Sequence, residues 1–203
     1  MMQLDKKIVK NVVISGFITI AMIFLDQITK WLAVINLKNK TAFVIWKDVF
    51  ELHYLENQSA AFGVDLLSII QKIFQFPYFI DHPDIFLKVR MAFFAVLTIL
   101  VVMLFILMYF KIPWNKHFIW LKVILILFIA GAIGNLIDRM CQNYVVDFFY
   151  FKLIDFPIFN VADIYVTVAA IMFIVLCLFY YKEEDFELLF PDKGKKCNKK
   201  EDN

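Results

Sequence analysis

Long apolar runs separated by short polar links make up most of this chain. Four runs are long enough to cross a bilayer as helices, and they lie at about residues 12–36, 91–110, 118–137 and 161–181. Asp26 and Lys30 interrupt the first run, Lys122 lies near the start of the third, and the second holds no charged residue. The pattern predicts an all-α integral membrane protein with four transmembrane helices.

The link between the first two runs, about residues 37–90, has patterns of its own. Residues 49–55 alternate roughly between apolar and polar positions, which predicts strands and a small extracytoplasmic β-rich element at about residues 40–64. Further on, one helical face carries the apolar residues 66, 69, 70, 73 and 74, the pattern of an amphipathic helix on the membrane surface. We hypothesise that this helix, which Pro77 would limit, is a lid over a site. A loop extension packed on the helices is the alternative.

Composition agrees with a membrane protein and excludes several other classes. Hydrophobic residues make up 62% of the chain, well above the 45–50% that is usual for soluble domains. The net charge of +2 gives no basic footprint for nucleic acid. The cysteines and histidines are scattered and suggest neither a disulfide framework nor a metal site: Cys141, Cys177, Cys197, His53, His82 and His117. A zinc protease of the His-Glu-x-x-His type is therefore excluded.

Lysines are concentrated before the first run, between the second and third runs, and after the fourth. By the positive-inside rule these segments are cytoplasmic, so both termini are predicted to lie in the cytoplasm. The N-terminal lysines also resemble the start of a signal peptide, but residues 25–31 offer no small-x-small cleavage site, so we expect an uncleaved helix. We predict one membrane domain over residues 1–181 and a polar, disordered cytoplasmic tail at 182–203.

Two aspartates lie at the edges of apolar runs, where a carboxylate is costly. Asp147 follows Val145 and Val146, and Asp163 lies at the start of the fourth run. Intramembrane acids usually face a cavity or a partner and serve a function. Two carboxylates brought together can share one proton, so that one acts as base and the other as acid. This is the chemistry of an aspartic protease; the alternative is a pair of helix-end aspartates at the headgroup level.

Other polar residues are spaced to share helix faces near the same membrane depth. Asp26 and Lys30 are four residues apart and can pair, with a purely structural ion pair as the alternative. Asn135 and Arg139 share a face in the same way, and the amide of Asn135 can hold a peptide carbonyl or a carboxylate. Arg139 could instead contact lipid headgroups. With Asp147 and Asp163, charged residues from several helices are expected to converge near the outer face.

Small residues add two further expectations. Gly131 and Gly134 in the third run allow close helix contact. Asn57 precedes small residues and Gly63, which predicts a tight turn that delivers an amide to a site or, alternatively, an ordinary turn. Ser59 with Lys30 is the one imaginable serine–lysine dyad.

Five short motifs then occur in the order that they have in one family of membrane proteases. They are Asp26-Gln27-x-Thr29-Lys30, Asn57-x-x-Ala60-Ala61-Phe62-Gly63, Gly131-Ala132-x-Gly134-Asn135-x-x-Asp138-Arg139, Val145-Val146-Asp147-Phe148 and Phe159-Asn160-x-Ala162-Asp163. On these motifs the chain resembles lipoprotein signal peptidase (signal peptidase II), the membrane aspartic protease family. Ser59 stands where the family motif usually has glycine, and Ala130 replaces the first of a glycine pair. Neither departure removes a functional group.

The resemblance implies a function and a set of site residues. Asp147 and Asp163 match the catalytic pair, and the other matching polar positions line or support the site: Asp26, Lys30, Asn57, Asn135, Asp138, Arg139 and Asn160. The implied reaction uses an activated water to remove the signal peptide of bacterial prolipoproteins before a diacylglyceryl-modified cysteine. No cofactor or metal is implied. The expected partners are these substrates and membrane lipids, and we expect a monomer in the bacterial cytoplasmic (inner) membrane with its site near the outer face.

Two other classes of protein compete with this interpretation. A small proton- or ion-coupled transporter would use the same acids as relays, but it would also need polar residues through the cytoplasmic half of the membrane, where spans one and four are aliphatic. An assembly or scaffold protein would leave the clustered acids without a role.

Overall fold

The computed structural model describes residues 6–58, 70–71, 73–74 and 76–189. Its helices and strands are α1 (Lys6–Leu37), β1 (Phe43–Trp46), β2 (Phe50–Asn57), α2 (Pro77–Asp81), α3 (Pro83–Lys111), α4 (Ile119–Gln142), β3 (Val145–Tyr150), α5 (Val161–Phe179) and α6 (Glu183–Leu189). A single 3-10 turn, Lys152–Ile154, follows β3. Among the described residues, α1, α3, α4 and α5 are long and apolar enough to cross a membrane. The four predicted spans are thereby confirmed.

The central helix of the bundle is α4, because α1, α3 and α5 all pack against it. Two glycines make this possible. A Cβ at Gly131 would lie 2.6 Å from the carbonyl oxygen of Ala162, and a Cβ at Gly134 would lie 2.5 Å from Asp26 Oδ2. The predicted role of these glycines in close helix contact is confirmed. Many large apolar side chains of α1 and α3 point outward and are exposed, as expected of helices that face lipid.

The three strands form one antiparallel sheet in the order β1-β2-β3. The first two lie within the predicted β-rich element, which is confirmed. The third strand departs from expectation, since the sequence places residues 145–149 at the edge of a membrane segment. Residues 145–148 are buried on both faces of the strand, so no alternation of polar and apolar positions marks it. In the ladder Leu55 pairs with Asp147, and Asn57 pairs with Val145.

The helices extend past the apolar runs from which they were predicted. α1 begins at Lys6, and α3 begins at Pro83, where a missing N–H costs nothing in the first turn. α4 continues to Gln142 and stops at Asn143, which adopts a left-handed conformation with φ 63°; asparagine tolerates that conformation at a helix end. Apolar runs mark only the part of a helix that crosses the bilayer, whereas helical hydrogen bonding continues into polar residues.

The prediction of a disordered tail from residue 182 is wrong for its first residues. α6 forms there, with three acidic residues in its first turn where the helix dipole favours them. Phe186 and Leu189 on α6 pack against the apolar core between α3, α4 and α5. His117 in the link before α4 lies 2.9 Å from Asp185, so the segment gains enough contacts to stay helical. Residues 190–203 lie outside the described part of the chain.

The predicted amphipathic helix falls largely outside the described residues. Of its apolar face, residues 66 and 69 are not described, whereas 70, 73 and 74 are helical. Ile73 and Phe74 are each about two-thirds exposed, at 67% and 65%. A lid at this position stays a prediction.

Candidate active site

Asn160, at the beginning of α5, connects both candidate aspartates. Its side-chain oxygen accepts the backbone N–H of Asp163 (3.0 Å), and the Asp163 carboxylate accepts the backbone N–H of Asn160 (3.1 Å). This reciprocal capping box fixes the first turn of α5. The amide nitrogen of the same side chain donates to Asp147 Oδ1 at 2.6 Å. One fully buried asparagine therefore holds the two aspartates next to each other.

Asp147 reaches this point from the sheet. It is 1% exposed, and its second oxygen accepts a hydrogen bond from Asn57 Nδ2 at 2.8 Å. Burial raises the pKa of Asp147 to about 7, and the negative charge of Asp163 acts in the same direction, while the two amide donors oppose the rise. This carboxyl group can therefore carry a proton near neutral pH.

A residue of α4 donates a hydrogen bond to Asp163. Asn135 Nδ2 donates to Asp163 Oδ1 at 2.9 Å, and Asn160 Nδ2 donates to Asn135 Oδ1 at 3.1 Å. One turn further along α4, Arg139 donates to the carbonyl oxygen of Asn135 and lies over the ring of Phe94. Its guanidinium interacts electrostatically with both aspartates. The shared helix face predicted for Asn135 and Arg139 is confirmed.

A second charged cluster lies directly behind the first. Lys30 on α1 contacts Asp26 at 2.8 Å and Asp138 on α4 at 3.0 Å, and all three side chains are almost fully buried. The predicted pair of Asp26 and Lys30 is confirmed. Lys30 also donates to Asn135 Oδ1 (2.9 Å), so the cluster adjoins the asparagine that holds Asp163.

Backbone amides join this second cluster to the strand and the helix that carry the aspartates. Asp26 Oδ1 accepts the N–H of Ala162 at 2.8 Å, and Asp138 Oδ2 accepts the N–H of Val146 at 3.2 Å. Each of these backbone donors is the immediate neighbour of a candidate catalytic residue. The cluster therefore fixes the backbone on both sides of the site.

A cavity of about 120 Å³ opens at the two aspartates, which is room for several water molecules. Its lining combines the polar site residues with an apolar wall: Asn57, Asn135, Arg139, Val145, Asp147, Phe156, Pro157, Ile158, Phe159, Asp163, Val166 and Thr167. Within the described residues, no group of three or more histidine, cysteine or acidic side chains could hold a metal ion. Two carboxyl groups at one cavity can act as acid and base on a water molecule.

The structure brings together every site residue that the sequence predicts. Asn57 ends strand β2 and delivers its amide to Asp147, as one of the two predictions for this residue expects. The turn predicted after Asn57 lies outside the described residues, as does Ser59 with the serine–lysine dyad that it would form. The sequence also assigns no role to Gln27, whose amide donates to Asp26, Asp138 and the carbonyl oxygen of Gly134. Gln27 follows Asp26 in the first of the five motifs, and this position could have indicated a role for it at the site.

Comparison with known proteins adds independent information to this geometry. The model of the signal peptidase (SPase) II family matches residues 18–179. The chain belongs to the signal peptidase II family. It is thus a membrane peptidase with four transmembrane helices, as the sequence predicts.

Individual relatives of this signal peptidase II family member agree with the assignment. A lipoprotein signal peptidase of Clostridium tetani is 36% identical over 168 residues, which cover 81% of this chain and 90% of that protein. The corresponding protein of Caldanaerobacter subterraneus is 36% identical over 169 residues, 83% of this chain and 95% of that one. A bacterial membrane enzyme solved at 2.3 Å is similar in structure, with a TM-score of 0.64 and 27% identity over 85% of this chain and 93% of that one.

Proposed function

We propose that this protein is an aspartic endopeptidase that removes signal peptides from bacterial prolipoproteins, cutting before the diacylglyceryl-modified cysteine. Asp147 and Asp163 are the catalytic residues. The observation that carries the proposal is the position of Asn160, whose side chain donates to the carboxyl group of Asp147 and whose backbone N–H donates to that of Asp163, beside a cavity with room for several water molecules. The names of the relatives, lipoprotein signal peptidases, supply the substrate class.

The proposed reaction uses one proton on the pair. A water in the cavity gives a proton to the ionised carboxylate of Asp163 as its oxygen attacks the scissile carbonyl carbon. The protonated carboxyl of Asp147 gives its proton to the carbonyl oxygen, which therefore becomes a hydroxyl group and not an oxyanion. When the tetrahedral intermediate collapses, the C–N bond breaks, the amine leaves with the proton from Asp163, and Asp147 recovers its own. A pKa of about 7 suits Asp147 to the acid role.

The remaining polar residues position this pair. Three asparagines orient the carboxyl groups by amide hydrogen bonds: Asn57, Asn135 and Asn160. Because an amide is neutral, the charge of these asparagines does not change during the reaction. Arg139 borders the cavity, where it can hold a carbonyl group of the substrate. The cluster of Asp26, Lys30 and Asp138, behind the site, keeps α1 and α4 together.

The same proposal includes the orientation in the membrane. Lysine distribution favours cytoplasmic termini, which puts the sheet and the cavity at the outer face, where a substrate anchored by its lipid can reach them. Reporter tags at the N-terminus and after Asn203 should both report the cytoplasm, and a tag near residue 80 should report the outside. A cytoplasmic signal from residue 80 would invert the orientation.

The decisive experiment for function is cleavage by purified protein in lipid bilayers. The wild type should cut a lipidated prolipoprotein and leave the unlipidated precursor largely intact. Asp147→Asn and Asp163→Asn should each lower kcat by on the order of 10³ or more, because an amide cannot exchange the proton. Asp84→Asn changes an exposed aspartate at the start of α3 and should leave the rate unchanged. Near-normal turnover in either dyad variant, with thermal unfolding intact, would refute the catalytic assignment.

A further inference from the structure

The segment that joins the two candidate catalytic residues also walls the cavity. Residues 151–159 leave β3 after Asp147 and lead into α5 before Asp163. Their second half, residues 156–159, supplies the apolar side of the cavity opposite the polar residues. A peptide bound at the aspartates would therefore contact this segment, which we call the wall segment (residues 151–159).

The end of the wall segment is held by backbone hydrogen bonds. Phe159 exchanges N–H and carbonyl bonds with Phe149 at 3.0 and 2.8 Å, and Phe148 also donates to Phe159 at 3.0 Å. These bonds fix the approach to Asn160. They do not reach residues 156–158, whose position depends on the turn that precedes them.

That turn is tied to the sheet at a separate point. Lys152 Nζ donates to Glu51 Oε1 on β2 at 2.8 Å, and the next residue, Leu153, donates its N–H to the carbonyl oxygen of Val49 at 3.3 Å. Glu51 is only 5% exposed, and its other carboxylate oxygen lies 2.8 Å from the His53 ring. A buried carboxylate near the start of the central strand that takes no part in the proposed reaction needs another explanation.

Aromatic contacts continue from this tie into the cavity wall. The Phe151 ring lies 4.8 Å from that of Phe50 and 5.8 Å from that of Phe159, with the Phe151 and Phe159 rings stacked. Phe156 meets Phe159 edge to face at 5.6 Å. Because aromatic rings pack with defined geometry, a displacement of the turn is transmitted to the ring at the cavity.

We propose that Glu51 and Lys152 are positioning residues that hold the wall segment in the place where it contacts the substrate peptide. Glu51 is not catalytic: it lies four positions along β2 from Leu55, the partner of Asp147, which is about 13 Å at the usual rise of a strand. Lys152 lowers the pKa of Glu51 by its hydrogen bond, and His53 adds to this, so the carboxylate stays ionised and keeps the tie. The inference rests on the proposed function, since its substrate is the same prolipoprotein.

Kinetics of Lys152→Met and Glu51→Gln test this role against a matched control. The control is Lys38→Met, because Lys38 also contacts a glutamate of β2 at 2.8 Å, and its side chain is 41% exposed against 44% for Lys152. The Lys38 pair does not touch the wall segment. Lys152→Met and Glu51→Gln should raise KM for lipidated prolipoprotein by about five- to tenfold with kcat within about twofold, since the dyad keeps its own hydrogen bonds. Lys152→Arg should restore KM, and Lys38→Met should match the wild type.

A second measurement does not depend on activity. Hydrogen exchange at the Leu153 amide should become faster in Lys152→Met and stay unchanged in Lys38→Met, because only the first loses the tie next to that amide. Unchanged KM and unchanged exchange in Lys152→Met, or equal effects in Lys38→Met, would overturn the inference. An absence of cleavage by the wild type would instead refute the proposed function, and the exchange experiment would still decide whether the tie holds the segment.

Discussion

Two acidic clusters lie next to each other in this bundle, and they are neutralised in different ways. Behind the cavity, Asp26 and Asp138 share the cation Lys30, at 2.8 and 3.0 Å. At the cavity, Asp147 and Asp163 accept hydrogen bonds from asparagine amides and a backbone N–H. The cation between Asp26 and Asp138 offsets their negative charge, whereas the neutral donors at the cavity leave one carboxyl group able to bind a proton.

One oxygen of each acid behind the cavity accepts two donors, and the other oxygen of each accepts one. Asp26 Oδ2 accepts from Lys30 and Gln27, and Asp138 Oδ2 accepts from Lys30 and the N–H of Val146. Among the hydrogen bonds described above, one reaches each oxygen of Asp147 and Asp163. Since a carboxylate oxygen offers two lone pairs, the oxygens at the cavity keep capacity for a proton or a water. We call Asp26, Lys30 and Asp138 the rear cluster, and Asp147 and Asp163 the front cluster. In the proposed function the rear cluster stabilises the bundle and the front cluster transfers protons.

The largest effect on stability should come from removing the shared cation. Lys30→Met leaves two buried carboxylates without a counter-ion, and breaking a buried ion pair in this way costs about 3–5 kcal/mol. Denaturant unfolding in detergent micelles measures the loss. Lys38→Met removes the exposed partner of Glu56 and should cost about 1 kcal/mol or less. Equal losses in the two variants would mean that the rear cluster has no special structural role.

Smaller losses of stability should follow from substitutions that push apart the helices that carry the two clusters. Gly131→Ala places a methyl group against the backbone of Ala162, and Gly134→Ala places one against Asp26. Overpacking of this kind costs about 1–3 kcal/mol, and the first variant should be the worse because backbone cannot rotate away. Gly16→Ala is the control, since a Cβ there meets nothing within 4 Å. Thermal unfolding of the three variants would contradict this account if Gly16→Ala were as damaging as the others.

The sequence was informative about the front cluster and less so about the geometry that creates it. The four spans follow from apolar length, and the aspartates are conspicuous because a charge at membrane depth is costly. The sheet register that places Asp147 opposite Leu55 depends on contacts between segments about 90 residues apart. Such pairing has no local sequence signal, so the third strand could not be distinguished from the edge of a span.

Only part of the rear cluster could be predicted from the sequence, because some of its hydrogen bonds come from the backbone. The pair of Asp26 and Lys30 follows from their spacing of four residues. The bonds of Asp26 and Asp138 to the N–H groups of Ala162 and Val146 involve no distinctive side chain on the donor residue. Likewise α6 was not predicted, because its acidic first turn resembles a solvated tail and its packing residues are only Phe186 and Leu189.

The smallest expected effect is a shift in the pH dependence of activity. Asn57 donates to the ionised carboxyl of Asp147 and so opposes the rise of its pKa to about 7. Asn57→Leu removes that donor, raises the pKa further, and should move the loss of activity at alkaline pH upward. A hydrogen bond to a charged group contributes about 1.5 kcal/mol, which corresponds to about one pH unit. Asn36→Leu is the matched control, because the Asn36 amide bonds only to its own helix at Leu32. A downward shift would contradict the assignment of Asp147 as the acid.

In the proposed mechanism the front cluster holds one proton near neutral pH. Infrared difference spectroscopy of the purified protein in lipid, titrated between pH 5 and 9, reports protonated carboxyl groups directly. We expect a protonated carboxyl band that disappears as the pH rises through about 7 and that is missing in Asp147→Asn. A spectrum with no carboxyl group titrating in that range, or one in which Asp147→Asn keeps the band, would contradict the proposed mechanism.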